Sequence, residues 1–189
     1  IQYARDYTQN TLTVTDENGA QVRHRYTPLG LEFETVDVQT GGVMTRREYD
    51  AQSRLSRVTD YVYGAVTDYA YDYLGRVTEQ TTRQGNEILA QTLYAYDDAA
   101  ERGRYQKVTQ TQVGGENAPS VVTTQYTDYL GNVVKTGRML DGAEYVDSAE
   151  YDNAGRVVAQ LTAADAAKGL PFTARFEYNE QDQITRSWN

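Results

Sequence analysis

A seven-residue motif recurs along this chain and constrains its fold more than any other feature. The two complete copies are Tyr71-Asp72-Tyr73-Leu74-Gly75-Arg76-Val77 and Tyr151-Asp152-Asn153-Ala154-Gly155-Arg156-Val157. A unit that returns at a steady period is one supersecondary element stacked many times. Such units bury surface against their neighbours, so the pattern favours an architectural role over an active site.

Five further copies keep part of the motif, and they begin at Tyr26, Tyr49, Tyr96, Thr127 and Tyr178. The seven starts at 26, 49, 71, 96, 127, 151 and 178 are separated by 23, 22, 25, 31, 24 and 27 residues. A drifting period indicates loops of variable length on a regular scaffold. Residues 1–189 are therefore predicted to form one repeat segment.

The motif residues are predicted to be structural, with ligand contact as the alternative role. An Asp at the second position can accept hydrogen bonds from amides two residues on, and a Gly at the fifth position can adopt a positive φ. The following Arg can pair with an acid or stack on a tyrosine ring. The recurring Tyr would place a ring at the same point in each unit, as in a ladder. The residues assigned to this role are Tyr26, Gly30, Tyr49, Asp50, Tyr71, Asp72, Gly75, Arg76, Tyr96, Asp97, Asp128, Gly131, Tyr151, Asp152, Gly155, Arg156 and Tyr178.

A second series of turn signals falls about midway through most units, at 16–19, 40–42, 63–64, 84–86, 114–117, 141–142 and 168–171. The segments between turns, such as 76–82 and 120–126, are rich in Val, Thr and Tyr and alternate with period two, which is typical of strands. We therefore predict an all-β fold of about 14 antiparallel strands, a meander of β-hairpin repeats in a curved sheet strip. Residues 162–169 are predicted to form a short helix or helical loop, and 97–103 a loop insertion.

Composition disfavours several functional classes. The net charge of −9 disfavours nucleic acid and anionic membranes as partners. The absence of cysteine excludes disulfides and thiolate metal sites. The single histidine, His24, lies between Arg23 and Arg25, which disfavour its protonated form, so we interpret it as a strand residue and not a catalytic base. We expect no enzyme activity, cofactor, metal or membrane span.

Two acidic arrangements stay open at this point. The adjacent pair Asp97 and Asp98 is interpreted as loop solvation, with calcium ligation as the alternative. An acid pair for glycoside hydrolysis is not excluded, because a strand sequence carries no distance between acids far apart in the chain.

Tyrosine is the most informative residue type in the composition. A mean hydropathy of −0.71 alone favours disorder. The 17 tyrosines favour a folded domain, because each buries a large ring and keeps its hydroxyl hydrogen-bonded or wet. We expect tyrosine to be the main core residue. Exposed tyrosine rings can also stack on sugars, so a carbohydrate-binding or adhesion module is the second functional hypothesis.

The Tyr-Asp-x-x-Gly-Arg-aliphatic motif, with its second Gly-bearing turn, resembles the YD repeat, also called the Rhs repeat, from about Asp16 to Asn189. That family includes Rhs polymorphic toxins, wall-associated toxin proteins, the B and C components of insecticidal Tc toxin complexes, and teneurins. The resemblance implies a long β-sheet strip that spirals into a hollow shell, or cocoon. In the family, the shell encloses a toxic C-terminal domain or another part of the protein.

For this chain, the resemblance implies a non-catalytic structural segment of such a shell. The expected partners are the flanking repeats of the same shell and an enclosed cargo or toxin polypeptide, with self-association through open sheet edges. The expected location is secreted or on a bacterial cell surface. Because the chain starts at Ile1-Gln2-Tyr3, unlike a signal peptide or an initiator start, we expect a fragment of a larger polypeptide.

One family feature has no match here. Bacterial shells typically end in an Asp-Pro-containing region with aspartyl autoprotease activity. The three prolines, Pro28, Pro119 and Pro171, follow Thr, Ala and Leu. The resemblance therefore carries no protease role over to these carboxylates.

Overall fold

The computed structural model describes residues 1–114 and 119–189, and its fold is an open antiparallel β-sheet. Sixteen strands are hydrogen-bonded in the order in which they follow in the chain. This confirms the predicted all-β meander. The count exceeds the expected 14 because two strands precede the one that ends at the first motif copy, Tyr26.

The chain divides into two compact units, Ile1–Thr92 and Leu93–Asn189. The first contains β1 (Gln2–Asp6), β2 (Thr11–Thr15), β3 (Gln21–Tyr26), β4 (Glu32–Asp37), β5 (Val43–Tyr49), β6 (Leu55–Asp60), β7 (Ala65–Tyr71), β8 (Val77–Gln84) and the start of β9 (Glu87–Ala99). The second contains the rest of β9, then α1 (Ala100–Gly103), β10 (Tyr105–Gln112), β11 (Val121–Thr127), β12 (Val133–Leu140), β13 (Ala143–Tyr151), β14 (Val157–Leu161), α2 (Ala163–Ala166), β15 (Ala174–Tyr178) and β16 (Ile184–Trp188).

The motif tyrosines end their strands at a shift in register. Glu48 lies opposite Arg57, but Tyr49 lies opposite Leu55, so one extra residue sits on β6. The same shift occurs at Tyr26, Tyr71, Tyr151 and Tyr178. A β-bulge of this kind increases the local twist of the strand pair. The five hairpins that follow these tyrosines therefore share one strand register.

Few apolar side chains are buried. In the described part of the chain these are Val36, Ala100, Tyr126 and Ala159. Among these described residues Tyr126, 8% exposed, is the one buried tyrosine. The expectation of a mainly tyrosine core is therefore wrong. A sheet without a second layer leaves both faces only partly covered, so most of the face residues stay half-buried.

Ion pairs across strands occupy one face of the first unit. Glu34 on β4 accepts from Arg25 Nη1 at 2.7 Å and from Arg46 Nη2 at 2.9 Å. Asp68 on β7 is likewise held by Arg57 at 2.6 Å and Arg83 at 2.8 Å. Directly opposite side chains in adjacent strands are close enough for such pairs. Lateral pairing therefore replaces apolar burial on this face.

The predicted helical loop at 162–169 contains a single helical turn, α2. Thr162 caps it, since its side chain accepts a hydrogen bond from the Asp165 amide. The Asp165 carboxylate accepts from Thr173 Oγ1 at 2.7 Å and Lys168 Nζ at 2.9 Å, which ties the two ends of the loop together. The loop is thus an ordered insertion between β14 and β15.

Candidate functional site

The candidate site is the series of five-residue turns that follow the motif tyrosines, here called the Tyr-Asp turns. In the turn after Tyr71, Asp72 Oδ1 accepts from the amides of Leu74 and Arg76, each at 2.9 Å. Asp72 Oδ2 accepts from Arg76 Nε at 2.8 Å. Gly75 has φ +84°, in the left-handed region that favours glycine. One carboxylate therefore closes the turn through both of its oxygens.

Four other turns repeat this geometry. The turns at Asp50 and Asp152 have the same two amide bonds and the same arginine contact, from Arg54 and Arg156. In the turn at Asp128 the Arg is replaced by Asn132, whose side-chain amide donates to Asp128 Oδ2 at 3.0 Å. In the last turn Asn179 replaces the Asp, and its Oδ1 accepts hydrogen bonds from the amides of residues 181 and 183.

These bonds lower the pKa of the turn carboxyls. For Asp50 the largest cause is the Arg54 amide, and for Asp152 it is the Arg156 side chain. For Asp72 and Asp128, burial is the largest single effect and acts to raise the pKa. The bonds and charge of Arg76 with the Leu74 amide outweigh it for Asp72, and the bonds from Asn132, Leu130 and Gly131 outweigh it for Asp128, so both pKa values are lowered.

We expect stability to fall with acid below about pH 4. The folded-state pKa of each turn carboxyl lies below the ordinary 3.8, so the unfolded chain binds more protons in this range. The contribution is complete above the unfolded-state pKa and is lost as pH falls through the folded-state pKa. Asp165, whose pKa is lowered to about 2 first by Thr173, extends the loss to that pH. Urea unfolding at a series of pH values measures it, and a flat profile from pH 4 to 2 contradicts it.

Consecutive turns are joined by the motif tyrosine hydroxyls. The Tyr71 hydroxyl donates to the Leu55 carbonyl, one turn earlier, at 2.6 Å. The equivalent bonds run from Tyr49 to Glu32, from Tyr151 to Val133 and from Tyr178 to Val157, at 2.6, 2.8 and 2.7 Å. Each accepting carbonyl belongs to the first residue of a strand, at the end of the strand pairing. The hydroxyl therefore supplies a hydrogen-bond donor to a backbone carbonyl that strand pairing leaves without one.

The motif arginine adds a second link between turns. Arg54 lies over the ring of Tyr71, with Cζ 4.5 Å from the ring centroid, and its Nη1 donates to the Asp72 carbonyl at 3.3 Å. Arg156 does the same to Tyr178 and the Asn179 carbonyl, at 4.8 and 3.2 Å. One guanidinium thus contacts its own Asp, the next Tyr ring and the next turn.

Replacing Tyr71 by phenylalanine is expected to lower the free energy of unfolding by about 0.5–1.5 kcal/mol. The change removes the hydroxyl bond to the Leu55 carbonyl and keeps the ring beneath Arg54. The matched control is Tyr73→Phe in the next turn, where the side chain is 91% exposed and the expected effect is within about 0.5 kcal/mol. Equal effects of the two variants in urea unfolding would argue against the hydroxyl link.

Two motif copies depart from this geometry. In the first, Thr27 takes the Asp position, and its Oγ1 accepts from the Leu31 amide at 3.1 Å. In the fourth, β9 runs through Tyr96 and Asp97 to Ala99, so the prediction that the loop begins at residue 97 is wrong. The turn follows at α1, where Glu101 and Arg102 have left-handed φ values of 51° and 65°. The extra residues before Gly103 allow the strand to continue.

A second kind of aspartate turn was missed from the sequence. Asp6, Asp37 and Asp60 each accept from the amides two and three residues on, at 2.8–3.3 Å. The residue four after each Asp is Asn10, Gly41 or Gly64, all with positive φ. The spacing Asp-x-x-x-Gly/Asn was the available signal. Of these three turns, the sequence predicted only the two at Gly41 and Gly64, from their glycines.

The midway turns lie at the sheet edge opposite the Tyr-Asp turns, since they connect the other strand ends. The turn at Asp16 nevertheless has the hydrogen bonds of a Tyr-Asp turn, with Oδ1 accepting from the Asn18 and Ala20 amides at 2.8 Å. The midway signal predicted at 114–117 lies outside the described residues except for Gly114.

The other candidate polar residues, His24, Asp97 and Asp98, lie on strands. His24 lies on β3 with Nδ1 3.1 Å from Glu32 Oε1. Within residues 1–114 and 119–189, no group of three or more His, Cys, Asp or Glu side chains is placed to hold a metal ion. No helix in the described chain is long and apolar enough to cross a bilayer. Asp97 and Asp98 lie on β9, so the interpretation of this pair as solvated loop residues is wrong.

Comparison with known proteins supports the repeat assignment. Residues 49–87 match the RHS Repeat family model, which confirms the resemblance drawn from the motif. No curated protein sequence matches the chain.

The fold is similar to that in a structure of the Photorhabdus luminescens Tc holotoxin pore, with a TM-score of 0.57 and 15% identity over 93% of this chain and 11% of that one. A crystal structure of TcdB2-TccC3-TEV matches with a TM-score of 0.45 and 13% identity, over 93% of this chain and 11% of that chain. The chain thus spans about a ninth of each of these much longer chains.

Proposed function

We propose that this chain is a non-catalytic wall segment of an Rhs-type shell that encloses a cargo polypeptide. The observation that carries the proposal is the repeated link between Tyr-Asp turns, in which the hydroxyls of Tyr49, Tyr71, Tyr151 and Tyr178 each bond to the preceding turn. These links hold successive hairpins at a fixed spacing along one edge. A strip built in this way can be extended by any number of repeats without a closed core.

The single-layer sheet fits a wall better than a free-standing domain. Its ion pairs satisfy charged groups across strands, as at Glu34 and Asp68, while few apolar side chains are buried. Its two terminal strands, β1 and β16, each pair with one neighbour in the described structure. Open edges of this kind attract further strands. The 189-residue chain alone is therefore expected to self-associate, and a monodisperse monomer in light scattering would argue against a wall segment.

The enclosed cargo can be tested by photo-crosslinking from the two faces of one strand. Val58 and Thr59 on β6 are neighbours in sequence and point to opposite faces. With a photoreactive residue at one position at a time in the complete parent polypeptide, we expect cross-links to non-repeat polypeptide from one face only. Cross-links to such polypeptide from both faces, or from neither, contradict enclosure. A secreted or cell-surface location is part of the proposal and is tested by fractionating the producing cells.

Carbohydrate binding is the second candidate, and one observation favours it. Tyr73 and Tyr129 stand at the tips of two Tyr-Asp turns with 91% of each residue exposed. Exposed rings of this kind can stack on sugars. A specific signal on a glycan array that is lost in Tyr73→Ala or Tyr129→Ala would favour an adhesion module over a purely structural wall.

A further inference from the structure

The Tyr-Asp turns contain an internal template for guanidinium binding. Arg54 bonds to Asp50 Oδ2 at 2.7 Å, covers the Tyr71 ring and donates to the Asp72 carbonyl. Arg156 makes the equivalent contacts with Asp152, Tyr178 and Asn179. A carboxylate, a tyrosine face and a backbone carbonyl thus form one three-part receptor, and the chain fills it with its own arginine in these turns.

The turn that begins at Asp128 keeps the receptor but lacks the arginine. Asn132 stands at the Arg position and reaches only its own Asp128. Within the described residues, no cation lies within 4.0 Å of the Asp128 carboxylate, and no guanidinium or ammonium group covers the Tyr151 ring. The Tyr151 ring is nonetheless held in the usual position, because its hydroxyl donates to the Val133 carbonyl at 2.8 Å.

An open groove of about 540 Å³ lies where the arginine would be. Its walls include Asp128, Tyr129 and Asn132 from one turn and Tyr151, Asp152 and Asn153 from the next. The Asn132 Oδ1 atom is 3.6 Å from a Cβ built on Gly155, much as Arg54 Nη1 is 3.9 Å from one built on Gly75. Asn132 therefore places an acceptor oxygen close to the position that a guanidinium donor occupies in the turn with Arg54.

Two cations, Arg104 and Lys135, line the groove, and each has a contact within the chain. Lys135 forms an ion pair with Glu101, and the Arg104 guanidinium lies 5.5 Å from the Tyr105 ring centroid. On the acidic side, Asp152 is paired with Arg156, which leaves Asp128 as the turn carboxylate without a cation. Three carboxylates, those of Asp128, Glu150 and Asp152, line the groove with these two cations, so the net charge of its lining is negative.

We propose that the groove between the turns at Asp128 and Asp152 binds an arginine side chain presented by a partner polypeptide. The guanidinium would lie on the Tyr151 ring and donate to Asp128 Oδ2, Asn132 Oδ1 and the Asp152 carbonyl, completing in trans the contacts that Arg54 makes in cis. A planar fork with five donors suits three separated acceptors, and its flat face suits a tyrosine ring better than an ammonium group does. The inference holds whether or not the shell encloses a cargo.

The test is a titration of the complete chain with the peptide acetyl-Gly-Arg-Gly-amide, followed by NMR of the Tyr151 ring and the Leu130 and Ala154 amides. We expect saturable shifts at these groups with a Kd on the order of millimolar. The lysine peptide is expected to bind about tenfold more weakly, and the neutral citrulline peptide not measurably. Unchanged signals elsewhere show that the fold is kept.

Two matched variants decide between this site and general attraction to an acidic protein. Asn132→Arg restores the arginine of the complete motif, so it is expected to fold, to cover Tyr151 and to abolish peptide binding. Asn18→Arg adds the same charge in the turn at Asp16 and is expected to leave the affinity unchanged. Equal loss in both variants, binding that survives Asn132→Arg, or a citrulline peptide as good as the arginine peptide would overturn the proposal.

Discussion

Replacing Gly137 by alanine is expected to lower the free energy of unfolding by about 2–3 kcal/mol. Gly137 lies buried in the middle of β12, opposite Thr124 on β11 and Val146 on β13. A Cβ at this position would come within 2.3 Å of Thr124 Oγ1 and 2.7 Å of Glu144 Oε1. Thr124 donates to Glu144 across the glycine at 2.5 Å, so the new methyl group would enter the space of this hydrogen bond.

The partners of Gly137 provide the control. Removing both obstructing side chains, in Thr124→Ala with Glu144→Ala, is expected to make the further change Gly137→Ala nearly neutral in urea unfolding. A coupling of this sign between contacting residues is what a double-mutant cycle detects. If Gly137→Ala costs the same in both backgrounds, the close approach is not the cause.

Replacing Glu34 by glutamine is expected to lower the free energy of unfolding by about 1–3 kcal/mol. Glu34 is 2% exposed and receives one bond from each of two arginines. The amide has the same shape, but its NH₂ group would face a guanidinium donor. The loss is smaller than for a fully buried ion pair, because the side chains of Arg25 and Arg46 are 44% and 50% exposed and can turn to water.

The control for this change is Glu87→Gln, at an exposed position at the start of β9. It removes the same charge and is expected to change the stability by less than about 0.5 kcal/mol. Measuring the stability at low and high salt adds a second criterion, because salt screens the charges of the exposed arginines more than that of the buried carboxylate. Equal effects of Glu34→Gln and Glu87→Gln would mean that net charge, and not the two ion pairs, sets the response.

The turn chemistry could be predicted because it is local. Asp72, Gly75 and Arg76 lie within five residues, and the bonds that close their turn depend on that spacing alone. The same reasoning failed at Asp97, where the strand continues to Ala99. Nor did it identify Asp37 and Asp60 as turn residues, because their Asp-x-x-x-Gly spacing lacks the rest of the motif.

The sequence by itself determined the repeat, the antiparallel strand order and the design of the Tyr-Asp turns, since each depends on residues close together in the chain. Only the tertiary structure decided which groups meet across strands. It placed Glu34 between two arginines and Gly137 next to the bond from Thr124 to Glu144, and among the described residues it left the Tyr151 ring without an arginine over it. Those contacts join residues on different strands, and their geometry follows from strand register and bulges, which sequence periodicity does not specify.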